Sequence, residues 1–225
     1  MAKGAGVQEG RAALFDFDGT LADTAGDLGA AINHLRGERG LQPLAVEAVR
    51  PYASMGARGM LRIGLGLAPD AAEYLPLRDA FLDRYARNIC VQTKLFAGMD
   101  ELIKELRKRN IAWGIVTNKA TRFTERLVEH LRLAPDCVVC GDSTPHLKPH
   151  PAPLLLAAER LKLAPQACFY AGDDLRDIQA ARAAGMRPVA VTWGYPSPDN
   201  AGPRAWNADA LIDHPLDLIA HLEKP

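Results

Sequence analysis

The sequence predicts an α/β protein, a doubly wound parallel sheet into which a separate helical domain is inserted. Three observations lead there. Short apolar runs recur at 12–15, 111–116, 137–140, 167–171, 189–192 and 210–212. They are continuous rather than alternating, so both faces of each strand are covered, as in a parallel sheet lying between helices. Stretches of helical period separate them, and one long region, 25–90, shows helical pattern and no strand.

The elements follow in order. The first strand, 12–15, runs into the acidic sequence Asp16-Phe17-Asp18-Gly19-Thr20. Beyond it, Leu77, Phe81, Leu82, Tyr85 and Ile89 keep helical spacing, and turns are marked by Gly40-Leu41-Gln42-Pro43 and Ser54-Met55-Gly56. A segment this long exceeds what a strand-to-strand crossover needs. It is therefore expected to be a helical domain at 24–92, set into a core formed by 1–23 and 93–225, with linkers near 23–26 and 93–98. Met99, Leu102, Ile103 and Leu106 then line one helix face, opposite Lys104, Arg107 and Lys108. Helices are also expected at 154–161 and 175–184, the second closed by Gly185. Cys137 and Cys140 have CxxC spacing, but on a strand residues three apart face opposite ways and share neither a metal nor a disulfide.

Composition narrows the function classes. Of 225 residues, 27 are Lys or Arg and 27 Asp or Glu, for a formal net charge of zero. That excludes a basic nucleic-acid binder and a polybasic membrane-surface protein as the default. With 48% hydrophobic residues the chain has the make-up of a globular protein. Met1 to Arg11 is polar and lacks the apolar stretch of a secretory signal, and no run approaches the roughly 18 apolar residues of a membrane span. A cytoplasmic protein with reduced thiols at Cys90, Cys137, Cys140 and Cys168 is the expectation, as a monomer or homodimer acting on a small molecule.

The chemistry-bearing residues lie where strands end. In extended backbone Asp16 and Asp18 face the same way while Phe17 turns into the core. Two such carboxylates repel unless a cation sits with them, and their hard oxygens suit Mg²⁺. Gly19-Thr20 offers successive backbone N–H groups to an anion. Gly172-Asp173-Asp174, with Asp177 one turn later, forms a second acidic cluster after 167–171; taken alone it reads equally well as a helix cap. In a doubly wound sheet both clusters meet if their strands are neighbours at the reversal of strand order. Thr117-Asn118 adds a hydroxyl and an amide, and Lys148, in Leu147-Lys148-Pro149-His150-Pro151, adds a positive charge. Together these groups compose a phosphate site.

From Arg11 to about Ile219 the chain resembles the haloacid dehalogenase-like superfamily of phosphotransferases. Four motifs in order carry the resemblance: Asp16-Phe17-Asp18-Gly19-Thr20-Leu21, Val116-Thr117-Asn118, Lys148-Pro149, and Gly172-Asp173-Asp174 with Asp177. The resemblance implies a Rossmann-like core with a C1 cap at the helical insertion. It implies a nucleophile at Asp16 and a general acid/base at Asp18. Mg²⁺ would be held by Asp16, the backbone carbonyl of Asp18, and Asp173, and the phosphoryl group by Thr117 and Lys148. Asp174 and Asp177 would act through metal-bound water or by holding Lys148.

Substrate choice in that family usually rests with the cap, here with the loop Ser54-Met55-Gly56-Ala57-Arg58. Gly19, Thr20, Asn118, Ser54, Gly56 and Arg58 are the expected substrate-binding residues. Arg58 would hold a carboxylate in its planar fork, or else form a surface ion pair. The loop is similar to that of phosphoglycolate phosphatases. The core is also similar to N-acetylmuramic acid 6-phosphate phosphatases, through 113–119, 172–178 and 208–215. The expected activity is Mg²⁺-dependent hydrolysis of a small phosphorylated acid through an aspartyl phosphate, phosphoglycolate first and N-acetylmuramate 6-phosphate as the alternative. A phosphomutase of the β-phosphoglucomutase type is the same-fold rival, and a non-catalytic binding module would be expected to lack one of Asp16, Asp18, Lys148 and Asp173.

Overall fold

The computed structural model describes residues 10–195 and 199–223. The polar stretch 1–9, part of the segment taken as signal-free, lies outside the described residues. Strand β1 (Ala12–Phe15) is fully buried, as its uninterrupted apolar run requires. After it come β2 (Ala22–Asp23), α1 (Ala25–Gly37), α2 (Val46–Val49), α3 (Gly56–Leu65), α4 (Tyr74–Arg87) and β3 (Lys94–Leu95). The rest alternates: α5 (Met99–Lys108), β4 (Ala112–Val116), α6 (Thr121–His130), β5 (Cys137–Val139), α7 (Ala152–Leu161), β6 (Cys168–Gly172), α8 (Leu175–Ala184), β7 (Arg187–Val191), β8 (Ala210–Ile212) and α9 (Asp217–Leu222).

Six strands form one parallel sheet in the order β5-β4-β1-β6-β7-β8. The chain steps from β1 to β4 to β5, then returns to the other side of β1 as β6. The reversal of strand order thus falls between β1 and β6, where the open crevice of such sheets lies. Register fixes the rest. Phe15 is level with Ile115 on one side and Ala171 on the other. The next residues out, Asp16, Val116 and Gly172, therefore leave the sheet at the same height.

Alternation within β1 sends Ala13 and Phe15 into one apolar cluster and Ala12 and Leu14 into another. The first contains residues of α5, α6 and α9 and continues into α1, α3 and α4 through Leu28, Ile32, Met60, Phe81 and Tyr85. The second is closed by α7 and α8 through Leu154, Ala157, Ala180 and Ala181. Four helices, α1 to α4, occupy the region expected to be inserted, and they leave and rejoin the core through the antiparallel pair β2 and β3. That pair was expected only as linkers, because two residues are too few to show a period.

Strand ends otherwise differ from expectation by one or two residues. β7 begins early, at Arg187, because it stays paired with β6 from Phe169 outward. All four cysteines are free. No helix among the described residues is long and apolar enough to cross a membrane.

Candidate active site

Asp16 is the first residue beyond β1, its N–H bonded to Ala171 O at 3.0 Å, so the sheet ladder continues right up to the carboxylate. One carboxylate oxygen accepts from the Phe17 N–H at 2.7 Å and lies 2.9 Å from Lys148 Nζ. Lys148 is buried, and its ammonium also meets Asp177 at 2.8 Å and the Tyr170 hydroxyl at 2.7 Å. Burial opposes its charge, but Asp16 and Asp177 outweigh it and hold the amine above its ordinary pKa. The lysine reaches this point because Asn118 grips its main chain: the amide accepts from Lys148 N at 2.9 Å and donates to Lys148 O at 3.1 Å. Asn118, expected to bind substrate, lines the cavity and also positions Lys148 through both ends of its amide.

Asp173 follows β6 and is nearly inaccessible. It accepts from the Thr20 hydroxyl at 2.9 Å, Tyr195 N at 2.9 Å and Ser54 Oγ at 3.1 Å. Ligand atoms of Asp16, Asp173 and Asp177 lie within 4.8 Å of one another. Burial, reinforced by the charges of Asp16 and Asp177, pushes the Asp173 carboxyl well above the usual carboxylate range. The same two effects from burial and Asp16 lift Asp177 to about 6 despite Lys148.

Three carboxylates facing one ammonium leave an excess of two negative charges, the charge a divalent cation cancels, and all the donors are hard oxygens. The backbone is also cleared around Asp173. A Cβ on Gly19, whose φ is +86°, would fall 2.1 Å from Asp173 Oδ2, and one on Gly194 would fall 2.1 Å from Asp173 Cβ. The residues therefore fit a divalent cation.

Asp18 departs from expectation. Its carboxylate is not in this acidic group; it accepts from the Thr24 hydroxyl and pairs with Lys119 Nζ at 3.1 Å. The two carboxylates of the first motif therefore do not share a cation through their side chains, and Asp18 is left to face the cavity. Lys119 is the residue that sequence reasoning missed. Its ammonium is 3.3 Å from the Tyr85 hydroxyl and sits over that ring at 4.8 Å. Burial works against its charge, yet Asp18 and Tyr85 keep it protonated. Burial in turn pushes the Tyr85 phenol up to about 12, so it stays neutral. The only sequence signal was a lysine directly after Thr117-Asn118.

Asp174 and Asp177 serve the frame. They form a reciprocal capping box at the start of α8, and Asp174 also binds Arg176 at 2.9 Å. Burial favours the neutral acid at Asp174, but those bonds from Arg176 win and lower its pKa. Asp177 meets Lys148 at 2.8 Å and also belongs to the acidic group with Asp16 and Asp173. The turn 193–195 braces the site: Trp193 Nε1 bonds Thr20 O at 3.0 Å.

Above these groups lies a cavity of about 340 Å³. Asp16, Asp18, Thr117, Asn118 and Lys148 line its core side, and Ser54, Gly56, Phe81 and Tyr85 its cap side. Gly19 and Thr20 do not line it; the Gly19 N–H is used on Ala22 O at 3.0 Å and the Thr20 hydroxyl on Asp173. Nor does Arg58, which is exposed, because Gly56 already starts α3 and the helix carries the side chain outward. His150 is also outside, exposed and stacked on His146. The cap is tied down over the site by Ser54 Oγ to Asp173, by Arg176 to Ser54 O at 2.9 Å, and by Arg50 to Asp23 at 3.0 Å.

Residues 13–191 match the sequence model of haloacid dehalogenase-like hydrolases. An N-acetylmuramic acid 6-phosphate phosphatase of Pseudomonas putida is 44% identical over 210 residues, spanning 92% of this chain and 94% of its own. A phosphoglycolate phosphatase of Xanthomonas campestris is 42% identical over the same length and shares. Among solved structures, CbbY from Rhodobacter sphaeroides in complex with phosphate superposes with a TM-score of 0.74 at 25% identity, covering 95% of this chain and 99% of that one.

Proposed function

We propose, from the premise that the chain belongs to the haloacid dehalogenase-like hydrolase family, that it is a magnesium-dependent phosphomonoesterase passing a phosphoryl group from a phosphorylated acid through Asp16 to water. The observation that carries this is the seat of Asp16. Its carboxylate stands 2.9 Å from the buried Lys148 ammonium, beside Asp173 and Asp177, on the wall of a cavity large enough for an organic phosphate.

Held by Asp16, the main-chain carbonyl of Asp18, and Asp173, Mg²⁺ would supply positive charge at the phosphoryl oxygens. The remaining steps belong to this chain. Lys148 lowers the repulsion between an anionic nucleophile and an anionic ester, and the Thr117 hydroxyl donates to a phosphoryl oxygen. An Asp16 oxygen attacks phosphorus as the ester oxygen leaves, giving an acyl phosphate and an alcohol. Asp18 in its acid form protonates the leaving oxygen. It then takes a proton from the water that attacks the acyl phosphate, which frees inorganic phosphate and restores Asp16. Asn118 and Asp177 hold Lys148 in place throughout.

Two substrates fit that chemistry, 2-phosphoglycolate and N-acetylmuramate 6-phosphate. The cavity favours the second: at about 340 Å³, with Leu28, Met55, Phe81 and Leu82 in its wall, it is in the range that encloses a drug-sized ligand, and a two-carbon acid leaves most of it unfilled. Four free cysteines suit a reducing compartment, and we place the enzyme in the cytoplasm.

Phosphate release from both acids, from glucose phosphates and from an aryl phosphate tests this reading, with and without EDTA, on wild type and Asp16→Asn. Release that needs Mg²⁺, is abolished by Asp16→Asn and is fastest on N-acetylmuramate 6-phosphate is expected. EDTA-resistant turnover, or isomer formation without phosphate release, would overturn it.

A further inference from the structure

We infer that the carboxylate of the substrate is read from the core, by Arg122 together with Lys119 at the start of α6, and not by the cap arginine Arg58. The inference rests on the proposed phosphorylated-acid substrate and adds where its acid group binds. Four cationic side chains line the cavity: Lys119, Arg122, Lys148 and Arg176. Lys148 is committed to Asp16 and Asp177, and Arg176 to Asp174 and Ser54 O. Arg122 has no ion pair or hydrogen bond among the described residues. Its guanidinium carbon is 4.6 Å from the centroid of the Phe123 ring, and the exposed side chain lines the cavity mouth with its five N–H donors bound to no protein group among the described residues.

Lys119 supplies the second donor. An ammonium has three N–H groups, and two are taken by Asp18 and the Tyr85 hydroxyl, leaving one. Because Asp18 is the group that serves the leaving oxygen, Lys119 marks the leaving-group end of the cavity. Arg122, in the first turn of α6, lines the same cavity as Lys119, which precedes that helix. A leaving group bearing a carboxylate therefore meets two cationic donors at its own end of the cavity. The rest of the leaving group would lie against Phe81 and Leu82 of the cap. Arg58 has no part in this wall.

The test compares N-acetylmuramate 6-phosphate with N-acetylglucosamine 6-phosphate, which lacks the lactyl ether and with it the carboxylate, on wild type, Arg122→Gln and Arg58→Ala. The readout is the ratio of kcat/KM for the acid to that for the neutral ester. A charge-assisted hydrogen bond corresponds to about a ten- to hundred-fold effect, so Arg122→Gln should lower the ratio by that factor, chiefly through a higher KM for the acid. A ratio kept by Arg122→Gln, or lost in Arg58→Ala alone, overturns the inference. A wild type that does not prefer the acid at all overturns instead the phosphorylated-acid reading beneath it.

Discussion

Replacing Lys148 by Met removes the one cation buried among Asp16, Asp173 and Asp177, and its effect on stability follows from that arrangement. The ammonium is within 2.9 Å of both Asp16 and Asp177. Taking one partner from a buried ion pair costs about 3–5 kcal/mol, because the charge left behind is no longer compensated. In a chain of this length each kcal/mol is worth about 2–4 °C, so Tm should fall by roughly 10 °C at neutral pH. The pH dependence has a definite sign. Asp177 already titrates at about 6 and Asp173 well above the usual range, and loss of the cation raises both further. A carboxyl whose folded pKa exceeds its unfolded value weakens the fold wherever it is ionised. The deficit is therefore complete above the folded pKa and vanishes as pH falls toward the unfolded value of about 4. Thermal melts of wild type and Lys148→Met from pH 4 to 8 measure this, with far-UV circular dichroism to confirm folding. Mg²⁺ should raise the Tm of the variant more than that of wild type. Equal Tm values at pH 7.5, or a deficit that grows toward pH 4, would refute the reasoning, whereas Lys104→Met, at an exposed pair with Asp100, should change nothing measurable.

Three further outcomes are expected. Gly194→Ala pushes a methyl group to 2.1 Å from Asp173 Cβ and 2.6 Å from Gly19 O, and a displacement of that order should lower kcat/KM about 100-fold, while Gly202→Ala, with nothing within 4 Å, leaves kinetics unchanged. Lys119→Met removes the ammonium that positions the Asp18 carboxyl, so kcat should fall at least about ten-fold on an alkyl phosphate and less on p-nitrophenyl phosphate, whose leaving group needs no proton; equal losses would remove Lys119 from acid catalysis. Burial pushes the Cys137 thiol up to about 12 and Cys168 to about 11, so below those values both stay protonated, and iodoacetamide at pH 8 should label half-buried Cys90 first and the other two only after unfolding, as peptide mapping would read.

Much of the fold was legible because it is written in local pattern. The continuous apolar runs marked the sheet strands to within a residue or two, and periodic segments marked α5, α7 and α8, the last with its expected bounds, while α6 and α9 were not singled out. The pairing of β1 with β6 was reachable too, since two acidic strand ends have a reason to meet. What stayed hidden depends on contacts between residues distant in sequence. The ribbon of β2 and β3 is too short to carry a period. Asn118 looked like a ligand group, and only the fold shows its amide closed on the Lys148 main chain. Arg58 looked like a loop residue because Gly56 reads as a turn, but Gly56 opens a helix and the arginine points away from the cavity wall. Lys119 closed the 113–119 run without a role of its own and Arg122 carried no motif, and their importance appears only when Asp18, Tyr85 and Phe123 are seen around them.

The most direct measurement is to trap the phosphoryl group on the protein. Asp18→Asn, slowed in the step that needs a proton taken from water, would be mixed with labelled p-nitrophenyl phosphate and Mg²⁺, quenched in acid within milliseconds to seconds, and digested. Near-stoichiometric acyl phosphate on the peptide bearing Asp16, absent when EDTA replaces Mg²⁺, is the expected result. Label on any other residue, or steady turnover with Asp16 unmodified at every time, would contradict it.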